Sequence, residues 1–342
     1  MLKKLLWTVL TFVVLYLLWN YEHVIYGARQ GYGQLKVLME ARPIEEYLQD
    51  ADYPEDKKEK LRLVQEIRQF TIDSLGLNES GSYRKMFDQQ GKPLLWTVTA
   101  CQPFALEAKE WTFPILGTFS YKGFFEYDLA QKEQRELDKD GWDTRIGEVS
   151  AWSTLGVLND PILSSTLDRN IGSLTQLVIH ELTHGTLYIK NNVTYNENLA
   201  DFVGDEGAKL FLAYKYGVES EEYQRYLNRK EDRKKFSEYI LSSTNRLDSL
   251  YSSFDETIPL EEKKLQKEQL ITEIMKGLIT VDFYNKNYYT YFQDFQPNNT
   301  FFMSYKRYRE RQNQFREQFE QEFDSDFQAY FKYLKETYKP LF

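Results

Sequence analysis

The first strong pattern along the chain is an apolar run from Leu5 to Trp19, broken only by Thr8 and Thr11, with Lys3 and Lys4 before it and Asn20, Tyr21 and Glu22 after it. Its fifteen residues would rise ~22 Å as a helix, short of a ~30 Å hydrocarbon layer unless the flanking aromatics sit at the interfaces. Tyr26-Gly27-Ala28 is a poor match to the small-x-small cleavage site of a secretory signal. The expectation is therefore an uncleaved anchor over residues 1–26, making the chain a membrane partner through a single transmembrane helix. Two lysines ahead of the span place the amino terminus in the cytoplasm. The rest of the chain would then lie on the periplasmic side of a bacterial inner membrane.

Beyond the anchor, helical patterning runs from Gly27 to about Ala41, stops at Pro43, and resumes with Leu61, Val64, Ile67 and Phe70 before Gly76. Leu95–Ala100, Phe113–Tyr121 and Arg145–Val149 are short and rich in β-branched or aromatic residues, so they read as strands. The polar, helix-forming stretch from Tyr127 to Lys139 lies between the last two and completes a β-β-α-β block. From Leu174 onward the periodicity is helical. Leu210 to Phe342 alternates charged and aromatic residues, with loop signals near Pro259 and Pro297-Asn298-Asn299. The aromatics of Tyr305–Phe323 form a core stripe within this region. The predicted class is α+β and predominantly helical, with a small sheet. The predicted division is a helical lead-in plus main domain over residues 27–214, then a helical subdomain over 215–342.

Composition narrows the partners. A formal net charge of −9 supplies no basic footprint for phosphates and argues against nucleic acid. One cysteine, Cys101, cannot form an intramolecular disulfide, so cysteine usage says nothing of the redox compartment. The 26 tyrosines and 23 phenylalanines supply core and groove material with hydroxyls suited to a wet boundary.

Two of the three histidines stand in His180-Glu181-Leu182-Thr183-His184, within the helical pattern Leu174, Leu177, Val178, Leu182, Leu187. Chance placement gives this arrangement odds of roughly two in a thousand. Four helical residues turn through about 400°, so His180 and His184 project from one face about 6 Å apart along the axis and can grip one metal ion. Hydrolytic zinc takes three protein ligands and keeps a fourth position open. Downstream, Asn196-Glu197-Asn198-Leu199-Ala200-Asp201 begins a second helix on which Glu197 and Asp201 share a face. Glu197 is the natural carboxylate ligand. Asp201 can accept a hydrogen bond from the distal nitrogen of a ligating histidine and fix its tautomer. Asn191-Asn192 supplies the turn between two antiparallel helices.

His-Glu-Leu-Thr-His followed by Asn-Glu-x-x-x-Asp resembles the gluzincin class of HExxH zinc metallopeptidases, and more nearly a bacterial family of predicted aminopeptidases, which are membrane- or lipid-anchored. The resemblance extends over Gly33-Gln34-Leu35, Ala41-Arg42-Pro43-Ile44, Ser82-Tyr83-Arg84, Ser120–Phe125, Ser153-Thr154-Leu155-Gly156, Asp160-Pro161 and Asn298-Asn299. It implies a zincin-like domain, aminopeptidase activity on peptide substrates and one Zn²⁺. Chemistry and resemblance together assign the zinc-bound water to activation by Glu181 as general base.

The oxyanion donor is open among Tyr121, Tyr188 and Tyr195. His23, beside the expected span, is a poor choice, and the strand from Thr118 to Phe124 could carry an extended peptide. Glu206 lies half a helical turn from Glu197 and is kept as a surface or substrate-amine candidate. Two other classes stay open: an anchored scaffold holding metal without turnover, and a zinc amidase acting on cell-wall fragments. Composition and motif leave oligomeric state and the choice of exo- or endopeptidase open.

Overall fold

The computed structural model describes residues 3–4, 6–7, 15, 19–113, 117–149, 158–189, 192–292, 295–309 and 312–338. The chain is mostly helical, 63%, with small sheets. In order come α1 (Tyr21–Glu40), β1 (Arg42–Pro43), α2 (Ile44–Gln49), α3 (Glu55–Asp73), β2 (Lys85–Phe87) and β3 (Trp96–Cys101). Next are β4 (Trp111–Phe113), β5 (Gly117–Phe119), β6 (Lys122–Phe124), α4 (Tyr127–Lys139), β7 (Asp143–Glu148) and β8 (Ile162–Leu163). The remainder is helical: α5 (Ile171–His184), α6 (Val193–Tyr216), α7 (Glu221–Ser252), α8 (Leu260–Gly277), α9 (Asn299–Arg309), α10 (Gln312–Glu322) and α11 (Phe327–Thr337).

Among the described residues three small sheets result. β3 is the centre of an antiparallel β6-β3-β7 sheet, and α4 covers it through Ala130 and Leu137, which pack with Val98, Ala100 and Phe124. The second sheet is β1-β2-β8, with β2 antiparallel to β1 and parallel to β8. Phe113–Tyr121, expected as one strand, is instead two arms of a hairpin: Trp111 pairs with Phe119 and Phe113 with Gly117. Gly117 has φ +90°, a backbone conformation that glycine adopts without the Cβ clash.

The largest core surrounds α5 and α6. It takes Ile44 and Tyr47 from α2, Leu61, Val64 and Ile67 from α3, and Phe315, Phe319, Tyr330 and Leu334 from α10 and α11. Side chains from both sides of residue 214 therefore pack against the same two helices. A second core gathers Phe236, Ile240 and Leu247 of α7 with Ile271 and Ile274 of α8 and Phe301 and Phe302 of α9.

The amino-terminal expectation needs correction. Leu5–Trp19 lies largely outside the described residues, and among the described residues no helix is long and apolar enough to cross a membrane. This finding overturns the expected transmembrane helix and the single-pass inner-membrane placement, and no anchor is seen among the described residues. The nearest described helix, α1, carries Glu22, Arg29, Lys36 and Glu40. It lies against protein: Tyr26 Oη and Gln30 Nε2 both donate to the Gly123 carbonyl, at 3.0 and 2.9 Å, and Tyr26 stacks on Phe113.

Candidate metal centre

Asn170 caps α5, its side chain accepting from the Ser173 amide at 3.0 Å, which satisfies a helix-terminal donor. Leu174, Val178, Ile179 and Leu182 bury one stripe of this helix in the main core. That fixes its rotation and turns the stripe holding His180 and His184 toward α6. At the start of α6, Asn192 accepts from the Tyr195 amide at 3.2 Å. Asn196, buried, exchanges two 2.8 Å hydrogen bonds with the backbone of Ile189 and so ties the incoming loop to the helix. At Gly204 the two helices come so close that a Cβ would sit 2.9 Å from the Gln176 carbonyl and 3.2 Å from His180 Cβ. Glycine is what permits that approach.

These constraints bring His180, His184 and Glu197 together, with one donor atom from each lying within 4.8 Å of the others. Glu197 Oε2 is 3.4 Å from His180 Nε2, and its Oε1 is 3.5 Å from His184 Nε2. The imidazoles meet edge to face, centroids 5.0 Å apart. Asp201 Oδ1 lies 2.9 Å from His180 Nδ1, so His180 presents Nε2 to Glu197 and donates through Nδ1 to Asp201. His184 is almost fully buried, and its Nδ1 has no hydrogen-bond partner among the described residues; packing holds that ring.

Burial acts to lower the pKa of His180, but the hydrogen bonds to Asp201 and Glu197 and their charge outweigh it and raise it to about 10. Burial, reinforced by the neighbouring His180, lowers His184 to about 4. Burial pushes Glu197 up, yet the two histidines bring it below the ordinary carboxylate value. Two imidazole nitrogens and a carboxylate oxygen, backed by further acidic groups at Asp201 and Glu181, make a donor set suited to a borderline divalent cation such as zinc. The residues fit such an ion.

Glu181 lines a cavity of about 50 Å³ with Ser80, Ser82, Tyr83, Leu158, Asn159, Asp160, Leu182 and Gly185. A larger cavity of about 420 Å³ is walled by Phe104, Trp142, Asp143 and Lys267 among others; neither cavity is lined by His180, His184 or Glu197, and of the two only the smaller touches the His180–His184 segment, through Glu181 and Leu182.

A family model described as "Putative aminopeptidase" matches residues 25–339. The chain belongs to this family. No curated protein and no solved structure matches it. Of the three tyrosines, Tyr121 is 47% exposed, and its pKa is raised by burial and, secondarily, by the Glu197 carboxylate. Tyr195 packs against Phe315 and Tyr338 in the main core. Tyr188 is half-buried. His23 is exposed on α1. Ser153–Gly156, quoted for the resemblance, lies outside the described residues.

Glu206 is neither a surface group nor available to a substrate amine. It is 7% exposed and pairs with Arg316 at 2.8 Å, with Lys209, and with Lys230 at 3.9 Å. Sequence reasoning passed over Tyr83, Asn196 and Gly204 as parts of the site. Tyr83 stands in the quoted triplet Ser82-Tyr83-Arg84, but nothing in that triplet shows that it lines the same cavity as Glu181.

Proposed function

We propose that this chain is a zinc-dependent peptidase of aminopeptidase type with a zincin-like domain. The observation that carries the reading is one cluster: His180, His184 and Glu197 presented from two antiparallel helices within 4.8 Å of one another, with Asp201 on His180 Nδ1 and Glu181 beside them. Three donors leave room for substrate chemistry, whereas a structural zinc site is closed by four side chains and is usually cysteine-rich. The described residues contribute no cysteine here; Cys101 is buried in the β3 sheet.

A zinc ion in this position would lower the pKa of water to about 7 and polarise a peptide carbonyl. The chain's own residues do the rest. Glu181 accepts the proton of the attacking water and delivers it to the departing amine. Asp201 holds the His180 tautomer, and of the candidate tyrosines Tyr121, whose pKa the Glu197 carboxylate helps to raise, is the one we assign to stabilise the oxygen on which charge develops. The family described as aminopeptidases favours release of single amino-terminal residues.

Mass spectrometry of products from a mixed peptide pool and a muropeptide pool tests the reading. Stepwise loss of amino-terminal residues is expected. Internal cleavage would replace the exopeptidase part, and cleavage confined to muropeptides would replace the substrate class with a cell-wall amide.

A further inference from the structure

α1 meets the body of the protein with one face. Tyr26 and Gln30 donate to the Gly123 carbonyl from that face, Val37 is buried on it, and at Gly33 a Cβ would overlap the Phe125 ring. The opposite face is apolar and exposed. Tyr21, Ile25, Ala28, Tyr32, Leu35 and Met39 all stand in solvent, Tyr32 at 72% and Met39 at 75%. Large apolar side chains grouped along one exposed strip mark an interaction surface, in contrast to the single scattered ones normal on a monomer. Successive members of the strip are four, three, four, three and four residues apart. This alternation keeps an apolar seam facing a second helix through knobs-into-holes packing, whereas a helix face that serves a globular core is wider and follows the 3.6-residue turn.

We propose that this strip is a self-association surface, on which α1 of a second copy of the chain packs antiparallel about a two-fold axis near residue 30. That register sets Tyr21 against Met39, Ile25 against Leu35, and the small Ala28 against the large Tyr32, each layer occurring twice. The exposed parts of the six side chains amount to on the order of 600 Å² per chain, so two copies would bury about 1,200 Å², the lower bound of a specific interface. Charge selects the orientation. Glu22, Arg29 and Lys36 each follow a seam residue and line one edge of the strip. In the antiparallel pair Glu22 of each copy runs beside Lys36 of the other, and Arg29, close to the axis, is already paired with Glu126 of its own chain at 3.1 Å. A parallel register would set Arg29 and Lys36 against Val24 and Gly31 and pair no charges. The proposal is independent of the peptidase reading.

Sedimentation velocity of the full chain over a concentration series tests it. Wild type should sediment as a dimer, and Leu35→Glu, at an exposed position, as a monomer with the helical circular dichroism of wild type. Glu22→Lys should raise the dimer dissociation constant about tenfold or more, and adding Lys36→Glu to it should restore the wild-type value. Mild oxidation of Tyr21→Cys chains mixed with Met39→Cys chains should link unlike chains by a disulfide, because only the antiparallel register brings those two positions together. A monomeric wild type, a dimer that Leu35→Glu leaves intact, or disulfides between like chains alone would overturn the proposal. Co-sedimentation with vesicles of phosphatidylcholine and phosphatidylglycerol examines the other occupant of such a face. A monomer that binds these vesicles, and ceases to bind on Leu35→Glu, would give the strip to a lipid surface and overturn self-association.

Discussion

At the scale of single residues, the cluster works through spacing and hydrogen bonding. His180 and His184, and likewise Glu197 and Asp201, stand four apart, which puts each pair on one helical face. That much is legible in the sequence, because helical periodicity converts spacing directly into direction. The 2.9 Å contact between Asp201 and His180 predicts that Asp201→Ala keeps the metal donors but lowers zinc affinity about 10- to 100-fold, measured by competition with a chromogenic chelator. An affinity equal to wild type would remove Asp201 from the account. Tyr83 was not legible in the same way. Its place depends on a left-handed turn in which the Tyr83 amide donates to the Asp160 carbonyl, 77 residues on, and Arg68, 15 residues before, donates to the neighbouring Ser82 carbonyl, and no local periodicity encodes such a turn.

At the scale of elements, the site depends on how closely α5 and α6 approach. Gly204 sets that distance, since a Cβ there would press on a backbone carbonyl at 2.9 Å. Alanine gains about 1 kcal/mol in helix propensity, but overpacking of a close helix contact costs about 1–3 kcal/mol, and a backbone oxygen cannot rotate away. Gly204→Ala is therefore expected to be destabilising on balance and to weaken zinc binding by shifting His180 relative to Glu197. Denaturant melts and zinc titration check both; a stabilised variant with normal zinc affinity would contradict the packing argument. The helices were readable from their apolar stripes, whereas β1, β2 and β8, of two or three residues each, are too short to show an alternating pattern. The sequence shows the pairing strands β4 and β5 as one β-forming run because both are rich in β-formers and composition does not mark where such a run reverses.

Across the whole molecule, the carboxy-terminal helices are bound to the site helices by packing and by charge. Arg316 of α10 reaches Glu206 of α6 at 2.8 Å, and Lys209 and Lys230 join the same carboxylate. Burial raises the Glu206 pKa, but the three cations outweigh it and hold it below its ordinary value of 4.5. A depressed carboxylate contributes stability that is present above its unfolded pKa and lost as pH falls through the folded value. Glu206→Gln should thus cost about 1–3 kcal/mol near neutral pH, with the gap to wild type closing as pH drops below the ordinary carboxylate range. Parallel denaturation series at pH 7 and in acid measure this, and a gap independent of pH would show that the pairing contributes nothing. The sequence marks Glu206 only as acidic and half a turn from Glu197; of its partners Lys209 is local, three residues on in α6, whereas Lys230 and Arg316 arrive from α7 and α10. The anchor expectation is corrected at this same scale, since among the described residues no helix is long and apolar enough to cross a membrane, and most of the apolar run lies outside them.

The most direct test of the central claim is zinc content measured together with peptide cleavage in wild type, Glu181→Gln and Glu197→Ala. The account predicts about one zinc and turnover in wild type, zinc retained with turnover lost in Glu181→Gln, and zinc itself lost in Glu197→Ala. A wild type without zinc, or a Glu181→Gln variant that cleaves as fast as wild type, would contradict it.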